Sequence, residues 1–311
     1  MLQILNTQPN PKVSICVVTY NQKNYIRECL DSLVNQKTDF EFEIIVGDDA
    51  STDGTAEIVS EYAAKHPNLI RLVMHKTNIG ATNNYFSIHC RARGDYICHI
   101  DGDDLAFPEK LKKQSEFLDK NLAHVVVWHR MQTFNDERTL RKDSYKNLED
   151  VVDVFNIRQS DLLRYGTIGF HSSIMYRRKC TLSVLEAKQD LLDYYAAVRF
   201  LDKGLAANLP DILGGYRYNK LQITAGKNKF FWFTISPNRN LYLKHLKIFS
   251  KNYHFAKSDI FCNAFFNFLV DLKNIRPTAI GFLLLALRLF SFPEFLKFSG
   301  HIKKAFTLKL L

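Results

Sequence analysis

What this chain lacks narrows what it is. Its six cysteines (Cys16, Cys29, Cys90, Cys98, Cys180, Cys262) form no Cys-x-x-Cys pair and have no histidine at zinc-finger spacing. The sequence therefore encodes neither a structural zinc module nor a redox dithiol, and thiols set singly in apolar runs suit a reducing compartment. There is no Gly-x-Gly-x-x-Gly and no Walker A sequence, so the usual dinucleotide and P-loop cradles are missing. The apolar run from Ala279 to Leu287 is cut by Arg288 and falls short of the ~20 residues that a bilayer span needs. The start, MLQILNTQPNPK, has no basic stretch followed by an apolar one of signal-peptide length, and the expected location is cytoplasmic.

Acidic residues are scarce at one end only. From Gly226 to Leu311 there are 14 Lys+Arg against 3 Asp+Glu, or +11; the total of 42 against 32 leaves 28 against 29, or −1, for residues 1–225. The excess positive charge thus belongs to a Phe/Leu-rich segment, and a nucleic-acid role is not expected from charge without glycine- or arginine-rich loops. We place a boundary near residue 226, giving a catalytic domain at 1–225 and a basic, aromatic-rich helical segment at 226–311. Phe261, Phe265, Phe268 and Leu272 recur there at helical spacing, with Lys297, Lys303, Lys304 and Lys309 near the end. Such faces fit an anionic membrane surface, at ~1 kcal/mol per basic residue near it; helices packed on the core with a solvated lysine face are the plainer alternative.

A chain of 311 residues with 46% hydrophobic content buries a full core. Its first half alternates β-branched runs with helical patterns, the mark of βαβ units and a doubly wound, mostly parallel sheet. Strands are expected at Val13 to Val18, Phe42 to Gly47, Ile70 to Met74, Tyr96 to Ile100 and His124 to Trp128. Helices are expected at Tyr25 to Val34, Thr55 to Lys65, Thr82 to Cys90 and Glu109 to Leu118, the last opened by Pro108. A polar stretch to about Asp161 reads as loop with small helices. A strand at Gly169 to Tyr176, a helix at Leu191 to Leu201, a turn around Pro210 and Asp211, and a strand at Ile212 to Tyr218 follow.

Ligands of open parallel sheets bind beyond the carboxyl ends of the strands, and two acidic groups fall there: Asp48 and Asp49 in EIIVGDDASTDGT, and Asp101, Asp103 and Asp104 in YICHIDGDDLAFP. Five neighbouring carboxylates repel unless a cation or hydrogen-bond donors offset them. The Asp101/Asp103 spacing suits Mg²⁺ or Mn²⁺, held by one or two carboxylates plus substrate phosphates, and Gly102 lets the backbone come close. The competing reading is an Asp/Gly turn with Asp104 capping the next helix. Asp48 or Asp49 can accept from a nucleotide base and Tyr20 can stack on it, although Asp49 also suits a turn or cap.

In order and spacing, VSICVVTYNQKNYIRECLDSLVNQ, EIIVGDDASTDGT, the Asn78 to Gly80 turn, GDYICHIDGDD with PEKL, and LLDYYAAVRFLDKG resemble the inverting family 2 glycosyltransferases of the GT-A fold. The resemblance spans about residues 11–218. It implies that Tyr20 and Asp49 contact the base with Thr19 and Asp48 nearby, that Asp101 lies by the donor's ribose or sugar, and that Asp103 is the main metal ligand. Asp193 matches the family's catalytic carboxylate, with Asp190 the close competitor three residues earlier; apart from the resemblance, Asp193 reads as a helix-start acid. The sequence departs from the family at Leu192, often acidic, and at Asn219, often His, both on the acceptor side. His171 is expected to be structural, and Arg217 to bind diphosphate or make a surface salt bridge. The implied activity is metal-dependent transfer of a sugar from a nucleotide diphosphate-sugar to a saccharide or lipid-linked saccharide, in surface-polysaccharide assembly (lipopolysaccharide, capsule or O-antigen), at the inner face of the cell membrane. A nucleotidylyltransferase, whose glycine- and lysine-rich first loop is absent here, and a non-catalytic membrane scaffold are the alternatives.

Overall fold

The computed structural model describes residues 10–138, 140, 148–150, 152–166, 168–181, 193–218, 239–253, 259–261, 263–265, 267–268 and 278–289. Asp190, Leu192, Asn219, Cys262, Leu272 and the lysines at 297, 303, 304 and 309 lie outside them.

Period-two alternation builds the first half. In β1 (Val13–Thr19), Val13, Ile15 and Val17 enter one core and Cys16 the other; β2 (Phe42–Asp48) and β4 (Tyr96–Asp101) divide in the same way. Strands buried on both faces must be covered on both. One cover is α1 (Ile26–Val34), α2 (Thr55–Lys65) and α4 (Lys110–Lys120); Ile26, Cys29, Leu30 and Leu33 of α1 form a buried stripe at helical spacing. The other face carries α3 (Ala81–His89), α5 (Gln159–Tyr165) and α6 (Asp193–Phe200).

The sheet has eight strands in the order β3-β2-β1-β4-β7-β6-β8-β5, where β3 is Ile70–Met74, β5 Leu105–Ala106, β6 His124–Phe134, β7 Met175–Arg177 and β8 Leu205–Arg217. The β1/β2, β1/β4, β2/β3 and β6/β8 pairs are parallel, while β7 runs antiparallel to both β4 and β6, and β5 antiparallel to β8. The mostly parallel, doubly wound α/β architecture is therefore present, with a short reversed strand at its middle.

Two local expectations are corrected. The strand expected over Gly169 to Tyr176 is a 3₁₀ turn at His171–Ser173 followed by the three-residue β7, because Ser173 folds back to donate both its N–H and its hydroxyl to the Phe170 carbonyl. Pro210 and Asp211 do not turn the chain. They lie inside β8, where the register against β6 shifts between His129 and Met131, and an irregular ladder tolerates a residue without an N–H.

The described C-terminal helices, α7 (Arg239–Asn252) and α8 (Thr278–Leu289), pack on the same core as α5 and α6. Phe249 stacks on Tyr195, the Tyr253 hydroxyl donates to Asp202 at 2.8 Å, and Arg164 pairs with Asp259. No helix among the described residues is long and apolar enough to cross a membrane.

Candidate active site

Parallel register gathers the expected residues at one rim. Thr19 is opposite Asp48 and Val18 opposite Asp101 across the β1 ladder. The loops beyond the strands are tied to the same end of β1, since the Asp49 N–H donates to the Thr19 carbonyl at 3.0 Å and the Gly102 N–H to Val18 at 2.9 Å. Gly102 has a reason to be glycine: an added Cβ would come within 3.0 Å of Thr19 and closer still to Gln22.

Each acid has its own surroundings. Buried Asp49 spends both carboxylate oxygens on the loop before α3, accepting from the N–H groups of Ile79 (2.8 Å) and Gly80 (2.9 Å). Asp48 accepts from the Ser51 N–H through Oδ2, while its Oδ1 is buried with no hydrogen-bond partner. Thr19 is buried and donates to Gln22, whereas Tyr20, 47% exposed, presents its ring at the rim. Asp103 is nearly buried, and its carbonyl accepts from Arg217 Nε at 3.0 Å.

Asp104 is fully buried and does not cap α4; it accepts the Arg217 N–H at 2.8 Å, and its other oxygen has no partner. Burial, then the carboxylates of Asp103 and Asp101, push its pKa well up. Arg217 itself is only 4% exposed, bound to Glu28 at 2.5 Å and lying over the rings of Tyr25 and Phe134. It makes the salt bridge that is one of its two expected roles, to the half-exposed Glu28 and Asp136, although its own side chain is buried beneath the acids.

Asp101 is the most elaborately held. Its N–H donates to Ser172 Oγ at 3.0 Å, and its Oδ1 lies 3.2 Å from His99 Nε2. Burial works to raise its pKa, but the hydrogen bond from His99, the nearness of His99 and His171, and Ser172 prevail and bring it down to about 2. Below it, the fully buried Lys110 donates to the Ser172 carbonyl and bonds His129 Nε2, each at 2.9 Å, and burial lowers its pKa.

Asp193 opens α6 with its side chain 56% exposed. His171, expected to be structural, lies between the two halves of the site: its Nδ1 is 3.4 Å from Asp193 Oδ1 and 4.0 Å from Asp101 Oδ1. Sequence reasoning passed over His99, Ser172, His89 and Tyr176 altogether. Only His99 carried a signal, since two residues before Asp101 on a strand is the same face.

The residues present fit a divalent cation. Burial, reinforced by the neighbouring carboxylates of Asp103 and Asp101, pushes Asp104 toward its protonated form, and one of its oxygens is buried without a donor; a hard cation would offset the charge gathered there. His99, Asp101 and His171 also bring ligand atoms within 4.8 Å of one another.

The model for "Glycosyl transferase family 2" matches residues 14–184, and the chain belongs to this family. An uncharacterized protein of Mycobacterium tuberculosis is 36% identical over 207 residues, covering 66% of this chain and 58% of its own length. Poly(ribitol-phosphate) beta-N-acetylglucosaminyltransferase TarS of Staphylococcus aureus is 36% identical over 120 residues, 37% of this chain and 20% of TarS. The structure of TarS 1–349 with UDP-GlcNAc covers 80% of this chain and 70% of that one at a TM-score of 0.60 and 19% identity. Mannosyltransferase PcManGT of Pyrobaculum calidifontis, in complex with GDP-Man and Mn²⁺, covers 96% and 81% at 0.58 and 19%. These likenesses establish the GT-A fold. The chain spans little more than half the length of its mycobacterial relative.

Proposed function

We propose that this chain is an inverting glycosyltransferase that moves a sugar from a nucleotide diphosphate-sugar to a saccharide or lipid-linked saccharide, in the assembly of a surface polysaccharide. The observation that carries the reading is the convergence of Asp101 and Asp193 on one imidazole, His171. It sets an exposed carboxylate on α6 beside the acids of the β4 rim.

In this reading Tyr20 stacks on the base, Thr19, Asp48 and Asp49 line its pocket, and Asp101 meets the ribose or sugar. Asp103 holds Mn²⁺ or Mg²⁺; a bound divalent ion supplies charge neutralisation of the leaving diphosphate. Asp193 takes the proton of the acceptor hydroxyl as that oxygen attacks the anomeric carbon. The new C–O bond forms as the bond to the diphosphate breaks, its electron pair leaving with the diphosphate, and attack from the opposite face inverts the centre. The UDP-GlcNAc and GDP-Man bound in the two similar structures support a nucleotide-sugar donor, and the poly(ribitol-phosphate) on which TarS acts supports a polymer acceptor.

We place the chain at the inner face of the cell membrane as a peripheral protein. Supporting this, α8 buries Phe282, Leu285 and Leu289 but exposes Ile280, Leu284 and Leu287 by 67, 62 and 62%, on one stripe. Lys244, Lys247 and Lys251 form an exposed row on neighbouring α7. An apolar stripe beside basic residues fits an anionic bilayer surface.

The test is turnover of a panel of UDP- and GDP-sugars with Mn²⁺. Release of nucleoside diphosphate, lost in Asp103→Ala and in excess chelator, is expected. Full activity in chelator overturns the metal role, and release of pyrophosphate overturns the reaction.

A further inference from the structure

Behind Asp101, three polar side chains form a line through the core. The Tyr176 hydroxyl is 2.6 Å from His89 Nδ1, His89 Nε2 is 3.0 Å from His99 Nδ1, and His99 Nε2 is 3.2 Å from Asp101 Oδ1. All three residues are buried, and they come from β7, α3 and β4. Two-residue spacing puts Ile97, His99 and Asp101 on the face of β4 that looks toward α3, and β7 brings Tyr176 opposite Ile97.

Hydrogen-bond chemistry gives the line a single direction. A carboxylate only accepts, so His99 Nε2 carries the proton toward Asp101. A neutral imidazole has one N–H, so His99 Nδ1 must accept from His89 Nε2–H, and His89 Nδ1 must in turn accept from the Tyr176 hydroxyl. Each step has one donor and one acceptor, and none of these atoms is left without a partner. All three residues are 0 to 1% exposed, and such burial favours neutral imidazoles and a protonated hydroxyl.

We propose that Tyr176, His89 and His99 are positioning residues: a one-way hydrogen-bond chain that fixes the Asp101 carboxylate in the orientation the sugar donor requires. The inference rests on the reading of Asp101 as a donor-binding residue. Two histidines and a tyrosine are a costly way to fill a core that leucine and phenylalanine fill without polar atoms to satisfy. This chain ends on the one carboxylate of the rim that is also gripped from its other side, by Ser172. Rings clamp it in place, with Tyr85 stacked 3.6 Å from His89 and His171 centred 3.8 Å from His99. With Oδ1 committed to His99, the remaining lone pairs of Asp101 have a set direction before the donor arrives, which is the preorganisation that binding and transfer reward.

Two measurements on the full chain test this. In ¹⁵N-histidine spectra of the ligand-free protein at neutral pH, His89 and His99 should both be neutral Nε2–H tautomers. An Nδ1–H tautomer at His99 overturns the chain, as does displacement of the His99 Nε2 proton, with the shift of a metal-bound nitrogen, on titration with diamagnetic Zn²⁺ or Mg²⁺, which would make that nitrogen a metal ligand. In turnover of UDP- and GDP-sugars with Mn²⁺, His99→Leu should lower kcat/KM by ~10- to 100-fold, the range of one hydrogen bond to a charged group. His99→Gln, whose amide reproduces the Nε2–H, should recover most of it. His89→Leu and Tyr176→Phe should follow with smaller losses in that order, whatever their melting temperatures. Equal loss in His99→Leu and His99→Gln, or no loss in either, overturns the proposal. An Asp101→Asn control separates the two readings: if it is fully active, the role given to Asp101 is wrong, and if it is inactive while His99→Leu is not, only the chain is wrong.

Discussion

Gly169 offers a test of how the fold sets the site. It faces the indole of Trp128, a β6 residue only 2% exposed. A Cβ added at Gly169 would fall inside van der Waals contact of the indole Cδ1, Cγ and Cδ2, the farthest of them 2.7 Å away. Ordinary contact begins near 3.4 Å, so ring or backbone must move by about 1 Å in an interior packed to crystal density. Gly169→Ala is therefore an overpacking change at the top of the usual range, ~3 kcal/mol. Urea unfolding with linear extrapolation measures it. The same substitution in a Trp128→Ala background, which removes all three of these ring atoms, should cost less than ~1 kcal/mol beyond the cost of Trp128→Ala itself, giving a coupling well above the additivity error. His171 stands two residues on, so turnover should fall even though neither Gly169 nor Trp128 faces the rim. A loss below ~1 kcal/mol in the wild-type background, or equal losses in both backgrounds, would refute this account of the packing.

Asp193→Asn should cut kcat by ~10²- to 10⁴-fold, the usual worth of a positioned base, with donor KM and melting temperature little changed because the side chain is half-exposed; an unchanged kcat removes Asp193 from the base role. At the opposite end of the sheet, buried Glu43 accepts from Ser14, Arg71 and the backbone and side chain of Arg93. Burial opposes its charge, but these donors win and hold its pKa below the ordinary value. A depressed carboxylate pKa contributes stability above the unfolded value that is lost as pH falls through the folded one. Glu43→Gln should thus be less stable than wild type by ~2 kcal/mol near pH 7, and urea titrations should show the gap closing on acidification; a gap independent of pH would contradict the assignment.

Much of this was legible in the residues. The ranges of β1 to β4 and of α1 and α2 can be read almost to the residue, because strict alternation between two cores and a four-position apolar stripe leave little choice. The rim acids follow from strand ends. The stretch from Gly169 to Tyr176 misleads because a strand and a turn returning to Phe170 bury the same apolar residues. Pro210 misleads because its strand is irregular. His89, His99 and Tyr176 were illegible as a group, since each sits on a different element and nothing local marks its partners. His171 reads as structural in the sequence because its neighbours in space are two carboxylates that the chain supplies 70 residues before it and 22 residues after it.

Among the described residues, the three of β7 are the strand that joins the β1–β4 half of the sheet to the half formed by β6 and β8. A seam so narrow lets the β6 and β8 half be rebuilt by insertion or drift without disturbing the ladder that aligns Thr19, Asp48 and Asp101. It also concentrates risk, because a kink at Met175 or Tyr176 would shift the nearby turn at His171, which lies beside both Asp101 and Asp193. Tolerance to change should therefore be low across this short span and rise on either side of it.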